Sequence, residues 1–202
     1  MSKIKNSPSL SFLLTLIAIG IMTLFGPEEA TLGPSVRLVY LHGAWVMTAE
    51  VLFIFAALIG LVALVTRKEK FHRWSAALGR SGIFYWLTYL PLSLFAMQAN
   101  WNGLFLAEPR FRFALTFAIV GLLLQIGLWM LDINWLTASA NILFIIALRF
   151  TFANAENVMH PPPSPIFKSG NWTIIGFFVG LNLLAWVSAY FVTRFFLQRI
   201  DR

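Results

Sequence analysis

Two of the three histidines, His42 and His160, stand in segments that fall on one side of a chain built from apolar stretches. The third, His72, falls on the other side among Arg67, Lys68 and Arg73. Neutral imidazole is the form that ligates metal, and partial desolvation at a membrane boundary favours that form. The chain contains no cysteine, which excludes disulfides, thiolate-held iron–sulfur clusters, Cys-zinc sites and covalent c-type haem attachment. A pair of imidazoles at one face therefore points to a metal centre held without a covalent link, and a haem fits such a pair best. The plainer reading of either histidine alone is a hydrogen-bonded residue at the membrane interface.

Two further segments share that face. Arg37-Leu38-Val39-Tyr40-Leu41-His42-Gly43-Ala44-Trp45 opens an apolar stretch. At a rise of about 1.5 Å per residue, His42 lies roughly 8 Å along a helix from Arg37, at or just under headgroup level. The segment Trp101-Asn102-Gly103-Leu104-Phe105-Leu106-Ala107-Glu108-Pro109-Arg110-Phe111-Arg112 is a loop rich in apolar residues. Its aromatics suit either a planar macrocycle or an interfacial aromatic belt, and Arg110 or Arg112 suits a propionate carboxylate.

The elements that must position these residues are transmembrane helices. The chain has 202 residues, 59% hydrophobic and 11% charged, with mean hydropathy +0.77. Soluble domains carry about 25% charged residues, so lipid is the solvent for much of this chain. The expectation is an all-α polytopic membrane protein forming one domain, 1–202, with no polar segment long enough for a second. Six spans are expected, at about 9–25, 36–65, 81–99, 111–131, 135–152 and 172–196. The first reads as a retained signal anchor, because no small-x-small cleavage pattern precedes Gly26-Pro27-Glu28-Glu29. Pro91 should kink the third. The fourth and fifth, joined by Asp132, Ile133 and Asn134, should pack as an antiparallel hairpin. Pro161-Pro162-Pro163-Ser164-Pro165 should run extended.

Loop parity divides the basic residues ten against five. Lys3, Lys5, Arg67, Lys68, Lys70, Arg73, Arg80, Arg194, Arg199 and Arg202 fall on one side. Arg37, Arg110, Arg112, Arg149 and Lys168 fall on the other. The positive-inside rule then puts both termini in the cytoplasm and the two histidines outside. It also accounts for the net charge of +7 without nucleic acid, for which no soluble basic module is present.

Among polar residues within spans, Glu50 stands two turns deeper than His42. An acid there is expensive unless paired or wet, so it is either a proton relay or a partner for a neighbouring helix. Arg149 should extend its stem toward the interface. Gln125 and Asn141 should bond between helices, and His72 should be a solvated charge partner. No phosphate loop, Ser/His/Asp arrangement or His-Glu-x-x-His motif is visible, so no enzyme activity is expected.

Taken together, the three outer segments resemble the CcmC/CcsA-type haem-handling proteins of cytochrome c maturation, CcmC most closely. Arg37-Leu38-Val39-Tyr40-Leu41-His42 reproduces the family's Arg-Ile-x-Tyr-x-His stretch, and Gly43-Ala44-Trp45 follows it without the family's proline. Asn157-Val158-Met159-His160 resembles the segment around the second histidine. In the tryptophan-rich loop Trp101 and Arg110 are kept, Glu108 replaces an aspartate, and Phe105 and Ala107 stand where tryptophans belong.

The resemblance implies that His42 and His160 are axial ligands to a non-covalent b-type haem. Trp101, Phe105, Glu108 and Arg110 would cover it, and Arg37, Tyr40 and Trp45 would make further contacts, including to propionates. It also implies a bacterial inner membrane, a haem site facing the periplasm or exterior, and partners that include membrane subunits or an extracytoplasmic haem chaperone. Two alternatives stand beside this expectation. One is a haem-free structural subunit of a larger membrane complex, motivated by the thinned tryptophan loop. The other is a small proton-coupled carrier using Glu50, although the paired broken spans of inverted-repeat transporters are missing.

Overall fold

A computed structural model describes residues 7–156, 158 and 165–200. Among these the chain is helical, in the order α1 (Pro8–Leu24), α2 (Val36–Thr66), α3 (Glu69–Trp101), α4 (Pro109–Leu131), α5 (Asn134–Ala153), α6 (Pro165–Lys168) and α7 (Trp172–Ile200). Four of them, α2, α4, α5 and α7, are long and apolar enough to cross a membrane. Helix α1 is apolar but only 17 residues long. Helix α3 has 33 residues and carries Glu69, Lys70, His72, Arg73 and Arg80 in its first turns.

Residue pairs show how the helices run. Across α2 and α3, Trp45 Nε1 donates to Thr88 Oγ1 at 3.0 Å, and Asn100 Nδ2 donates to the Ser35 carbonyl at 3.2 Å. Further along, Ser75 Oγ donates to the Ala56 carbonyl at 2.8 Å. As numbers rise in one helix they fall in the other, so the two are antiparallel. Helix α4 runs against α3, with Trp86 Nε1 donating to the Ala114 carbonyl at 3.0 Å. Helix α5 runs against α2, with Glu50 on Arg149 and Gly60 beside Ala138. Helix α7 runs against α3, where Tyr85 bonds Ser188 and Ser81 bonds Thr193. Helix α1 runs against α7, with Met22 by Gly180 and Gly26 by Phe177. The six long helices thus alternate in direction, and the beginning of α1 and the end of α7 share one end of the bundle.

Helix α2 occupies the centre and touches α1, α3, α5 and α7. Small residues allow this. Between apolar helices in lipid there is little hydrophobic drive to associate, so close packing and hydrogen bonds must hold them. A Cβ on Gly82 would come within 2.5 Å of the Phe53 ring, and one on Gly79 within 2.6 Å of Asn141 Oδ1. Gly121 likewise receives Ile83 and Phe144. Trp86, Tyr40 and Tyr85 are fully buried. Many apolar side chains of α4 and α5 face outward instead, among them Leu123, Trp129, Leu143 and Phe150.

The expected boundaries agree closely with the helices except at the third. There the helix begins at Glu69 rather than Ser81, because its first three turns are polar and helix-forming, and apolarity alone did not reveal them. Glu69 and Arg73 brace that start as an i,i+4 pair at 2.6 Å. The helix runs on through Pro91, which removes an N–H from the carbonyl of Leu87. The α4–α5 hairpin forms as expected. Its turn places Asp132 in the left-handed region at φ 51°. Residues 161–164 of the proline run lie outside the described residues, and Pro165 opens α6.

Gln125 and Asn141 bond between helices as anticipated. Gln125 Nε2 donates to Asn141 Oδ1 at 3.0 Å, and Asn141 Nδ2 donates to the Ser75 carbonyl and hydroxyl at 3.0 and 3.1 Å. One amide therefore ties α3, α4 and α5 together, and Ser75 extends the tie to α2. His72 differs from expectation. It is buried, with Nδ1 3.1 Å from the Asn134 carbonyl, and joins the start of α3 to the start of α5 instead of standing in solvent. Replacing Asn141 by Leu removes the partner of the Gln125 amide and the extra bonds to Ser75, which should cost about 1–2 kcal/mol. Gly79→Ala should cost a similar amount by pressing on the same amide. Thermal unfolding in detergent should show the two losses to be less than additive, because they act on one contact.

Candidate functional site

The alternation of helices brings the end of α1, the start of α2, the end of α3, the start of α4, the end of α5 and the start of α7 to one end of the bundle. The segments singled out in the sequence gather there. His160 lies outside the described residues, as do Asn157 and Met159. Asn154 and Phe167, described on either side, both belong to this end.

The antiparallel seam between α2 and α3 seats His42. Its ring lies 5.6 Å from that of Tyr89, itself packed 4.9 Å from Trp86. Trp45, one turn further, stacks 5.0 Å from Tyr85 and donates to Thr88. His42 and Trp45 thus both face α3. Tyr40 does not share their side: two residues before His42, it points about 200° around the helix. Its ring meets Phe177 at 5.4 Å and Phe178 at 6.4 Å on α7. Its hydroxyl is buried without a hydrogen-bond partner among the described residues. Gly43 sits under Phe178, where an added Cβ would lie 3.2 Å from the ring.

Arg37 is engaged with the α1–α2 loop. Its Nε donates to the Gly26 carbonyl at 2.9 Å, and a terminal nitrogen reaches Glu28 at 3.2 Å. That loop closes on Glu29, whose carboxylate accepts the N–H groups of Thr31 and Leu32 at 2.8 and 2.9 Å. These two backbone donors, Leu32 foremost, hold the Glu29 carboxyl below its ordinary range.

The loop after α3 stands beside the start of α2 because Asn100 bonds the Ser35 carbonyl. Asn102 turns the chain there with φ 51°. Trp101 and Phe105 meet edge to face at 5.9 Å, and Leu104, Phe105 and Leu106 are 52%, 42% and 52% exposed. The loop therefore carries an apolar outer surface, rimmed by charge. Glu108 caps α4 by accepting the Phe111 N–H at 2.7 Å, and its second carboxylate oxygen is buried without a partner among the described residues.

Sequence reasoning did not anticipate how the charges join. Glu50 bonds Arg149 at 2.9 Å across α2 and α5. Arg110 lies close enough for its charge to act on Glu50. Tyr89 is within electrostatic reach of both Glu50 and Glu108. Tyr89 thus packs against His42 and lies within electrostatic range of two carboxylates, although nothing in its sequence context distinguishes it from other aromatics. Only the register of the α2–α3 seam identifies it.

At this end His42 offers one imidazole at the seam, and Trp101 and Phe105 offer an aromatic surface, with Glu108 and Arg110 at the start of α4; the Tyr40 hydroxyl lies on the other side of α2, toward α7. Among the described residues no three His, Cys, Asp or Glu side chains converge as a metal cage.

The Glu50–Arg149 pair should stabilise the α2–α5 contact. Arg149→Met, which leaves the acid uncompensated in an apolar setting, should cost on the order of 1–2 kcal/mol. The Glu50→Gln, Arg149→Met double variant should recover part of that loss in thermal unfolding. The Glu29 loop carries its own pH test. A depressed carboxyl contributes order above its unfolded pKa and loses it as pH falls through the folded one. Protection of the Thr31 and Leu32 amides, measured against their intrinsic exchange at each pH, should therefore persist through the ordinary carboxylate range and fall only below it, and Glu29→Ala should remove it at every pH.

No family model, curated protein or solved structure matches this chain.

Proposed function

We propose that the chain is a six-span integral membrane protein with both termini cytoplasmic, which binds b-type haem without covalent attachment at the outer end of its bundle and holds it for, or passes it to, a cytochrome c assembly partner. His42 and His160 are the axial ligands in this reading. Trp101 and Phe105 supply the aromatic cover, Arg110 a counter-charge for the propionates, and Glu108 fixes the loop that carries them. Arg37 is tied to Gly26 and Glu28 and acts by holding the α1–α2 loop, with its remaining N–H groups available to a carboxylate. Trp45, through its bond to Thr88, orients the turn of α2 that bears His42. Tyr40, directed to α7, contributes from the opposite side of α2. The bound group supplies an iron porphyrin for transfer, and the protein's part is to bind it, orient it and limit its contact with water.

The observation that carries the reading is the α2–α3 register. It puts His42 against Tyr89 and draws the Trp101 loop over the start of α2, at the end of the bundle away from most basic residues. The six-span topology is supported by the alternation of helix direction and by the ten-to-five division of basic charge. The rival that keeps a specific observation is the haem-free subunit, whose docking face would be the exposed Leu104-Phe105-Leu106 surface. Glu50, paired with Arg149, is engaged as an interhelical tie, which weakens the carrier reading.

Protein purified in detergent and reconstituted with haem should show a Soret band removable by acid–acetone. His42→Ala and His160→Ala should each lower haem retention by roughly tenfold or more, by analogy with the loss of groups supporting a metal ligand, and the double variant should be colourless. Wild-type protein that folds but takes up no haem would overturn the proposal. A stable partner lost on Phe105→Ser, with both histidine variants unaffected, would establish the docking subunit instead.

A further inference from the structure

The other end of the bundle has a feature unrelated to the histidines. Between the start of α3 and the end of α7 lies a cavity of about 310 Å³ lined by Glu69, Lys70, Arg73, Trp74 and Leu197. Directly beside it, a second cavity of about 280 Å³ runs along the bundle's flank, with Leu52, Phe55, Trp74, Leu78, Trp186 and Tyr190 among its walls. Trp74 belongs to both. From Trp186 to Leu197 the walls extend roughly 16 Å along α7, close to the length of an extended hydrocarbon chain.

The two compartments differ in chemistry. The flank is apolar. Its floor includes Thr48, whose hydroxyl is already spent on the Ala44 carbonyl at 2.7 Å, and Phe55, Trp186 and Tyr190 stand 52%, 39% and 48% exposed along its edge. The mouth is cationic. Glu69 is neutralised by Arg73, which leaves Lys70 and, at the Tyr190 rim, Arg194 as the cations. Arg194 is held there by a bond to the Tyr190 hydroxyl at 3.0 Å and by its guanidinium 5.9 Å from the ring centroid. An apolar slot ending at a cationic mouth matches a molecule with a hydrocarbon tail and an anionic head.

We infer that this groove is a binding site for a single anionic phospholipid, with one acyl chain along Phe55, Leu78, Trp186 and Tyr190 and its phosphate between Lys70 and Arg194. The site is independent of any haem at the opposite end. It explains why large aromatics border this slot, and why Arg194 at its mouth is held against Tyr190. Basic residues near a membrane surface each attract an anionic lipid by about fivefold, and the apolar slot adds retention that a headgroup alone lacks.

Full-length protein in detergent, titrated with phosphatidylglycerol or phosphatidylcholine and followed by native mass spectrometry, tests this. One phosphatidylglycerol should bind about twenty-fivefold more tightly than phosphatidylcholine. Lys70→Gln with Arg194→Gln, both on exposed positions, should abolish that preference while leaving phosphatidylcholine binding as it was. Leu78→Trp, which fills the slot, should weaken both lipids. Equal binding of the two lipids by wild-type protein, a preference that survives the charge variant, or displacement of the lipid by inorganic phosphate alone would overturn the inference.

Discussion

The seam between α2 and α3 is the constraint on which the rest of the molecule depends. In a lipid environment two apolar helices gain little by touching, so what holds them must be close approach and satisfied hydrogen bonds. This seam has both. Ala49 and Ala56 on one side, and Ala77 and Gly82 on the other, are buried or closely overlaid by a neighbouring side chain. The Ser35–Asn100, Trp45–Thr88 and Ala56–Ser75 bonds fix one register along its length. A shift by a single residue would misplace all three bonds and drive Phe53 off the hollow at Gly82. Once that register is set, the remaining helices have defined places: α5 and α7 on α2, α4 on the outer face of α3, and α1 on α7.

The sequence disclosed the apolar helices because their composition departs so far from that of a soluble chain, and the short Asp132-Ile133-Asn134 break separated the fourth from the fifth. It concealed the start of α3. Glu69 to Arg80 is polar enough to read as a loop, yet its Glu69–Arg73 pair and its buried face of His72, Ser75 and Ala77 make it a helix that leaves the apolar zone without ending. His72 shows the same limit at one residue. Among Arg67, Lys68 and Arg73 it reads as solvated, and only the fold brings the Asn134 carbonyl to it.

At the candidate site the spacing of residues was informative only along one helix at a time. Arg37 to Trp45 could be placed on α2 from sequence, but not the direction each side chain faces once α2 is surrounded. Tyr40 and His42, adjacent in the motif, turn out to serve different neighbours, α7 and α3. Tyr89 carried no signal of its own, and Arg149 stood out as an in-span cation without showing which acid it would meet. Their importance arises from partners distant in the chain, His42 and Glu50, and such pairings are set by register, which a single sequence does not encode in any local pattern.

The placement of charge gives the bundle two chemically distinct ends. At the His42 end acids and bases are paired across elements: Glu28 with Arg37 and Glu50 with Arg149. Matching of this kind lets polar groups sit at and below the interface without a large desolvation penalty. At the opposite end the cations outnumber the acids, and Arg194 and Arg199 lie over the rings of Tyr190 and Phe195. A cation stacked on an aromatic keeps its full charge available to a third party. The two ends therefore differ in how charge is accommodated, by ion pairs between elements at one and by aromatic faces of the same helix at the other.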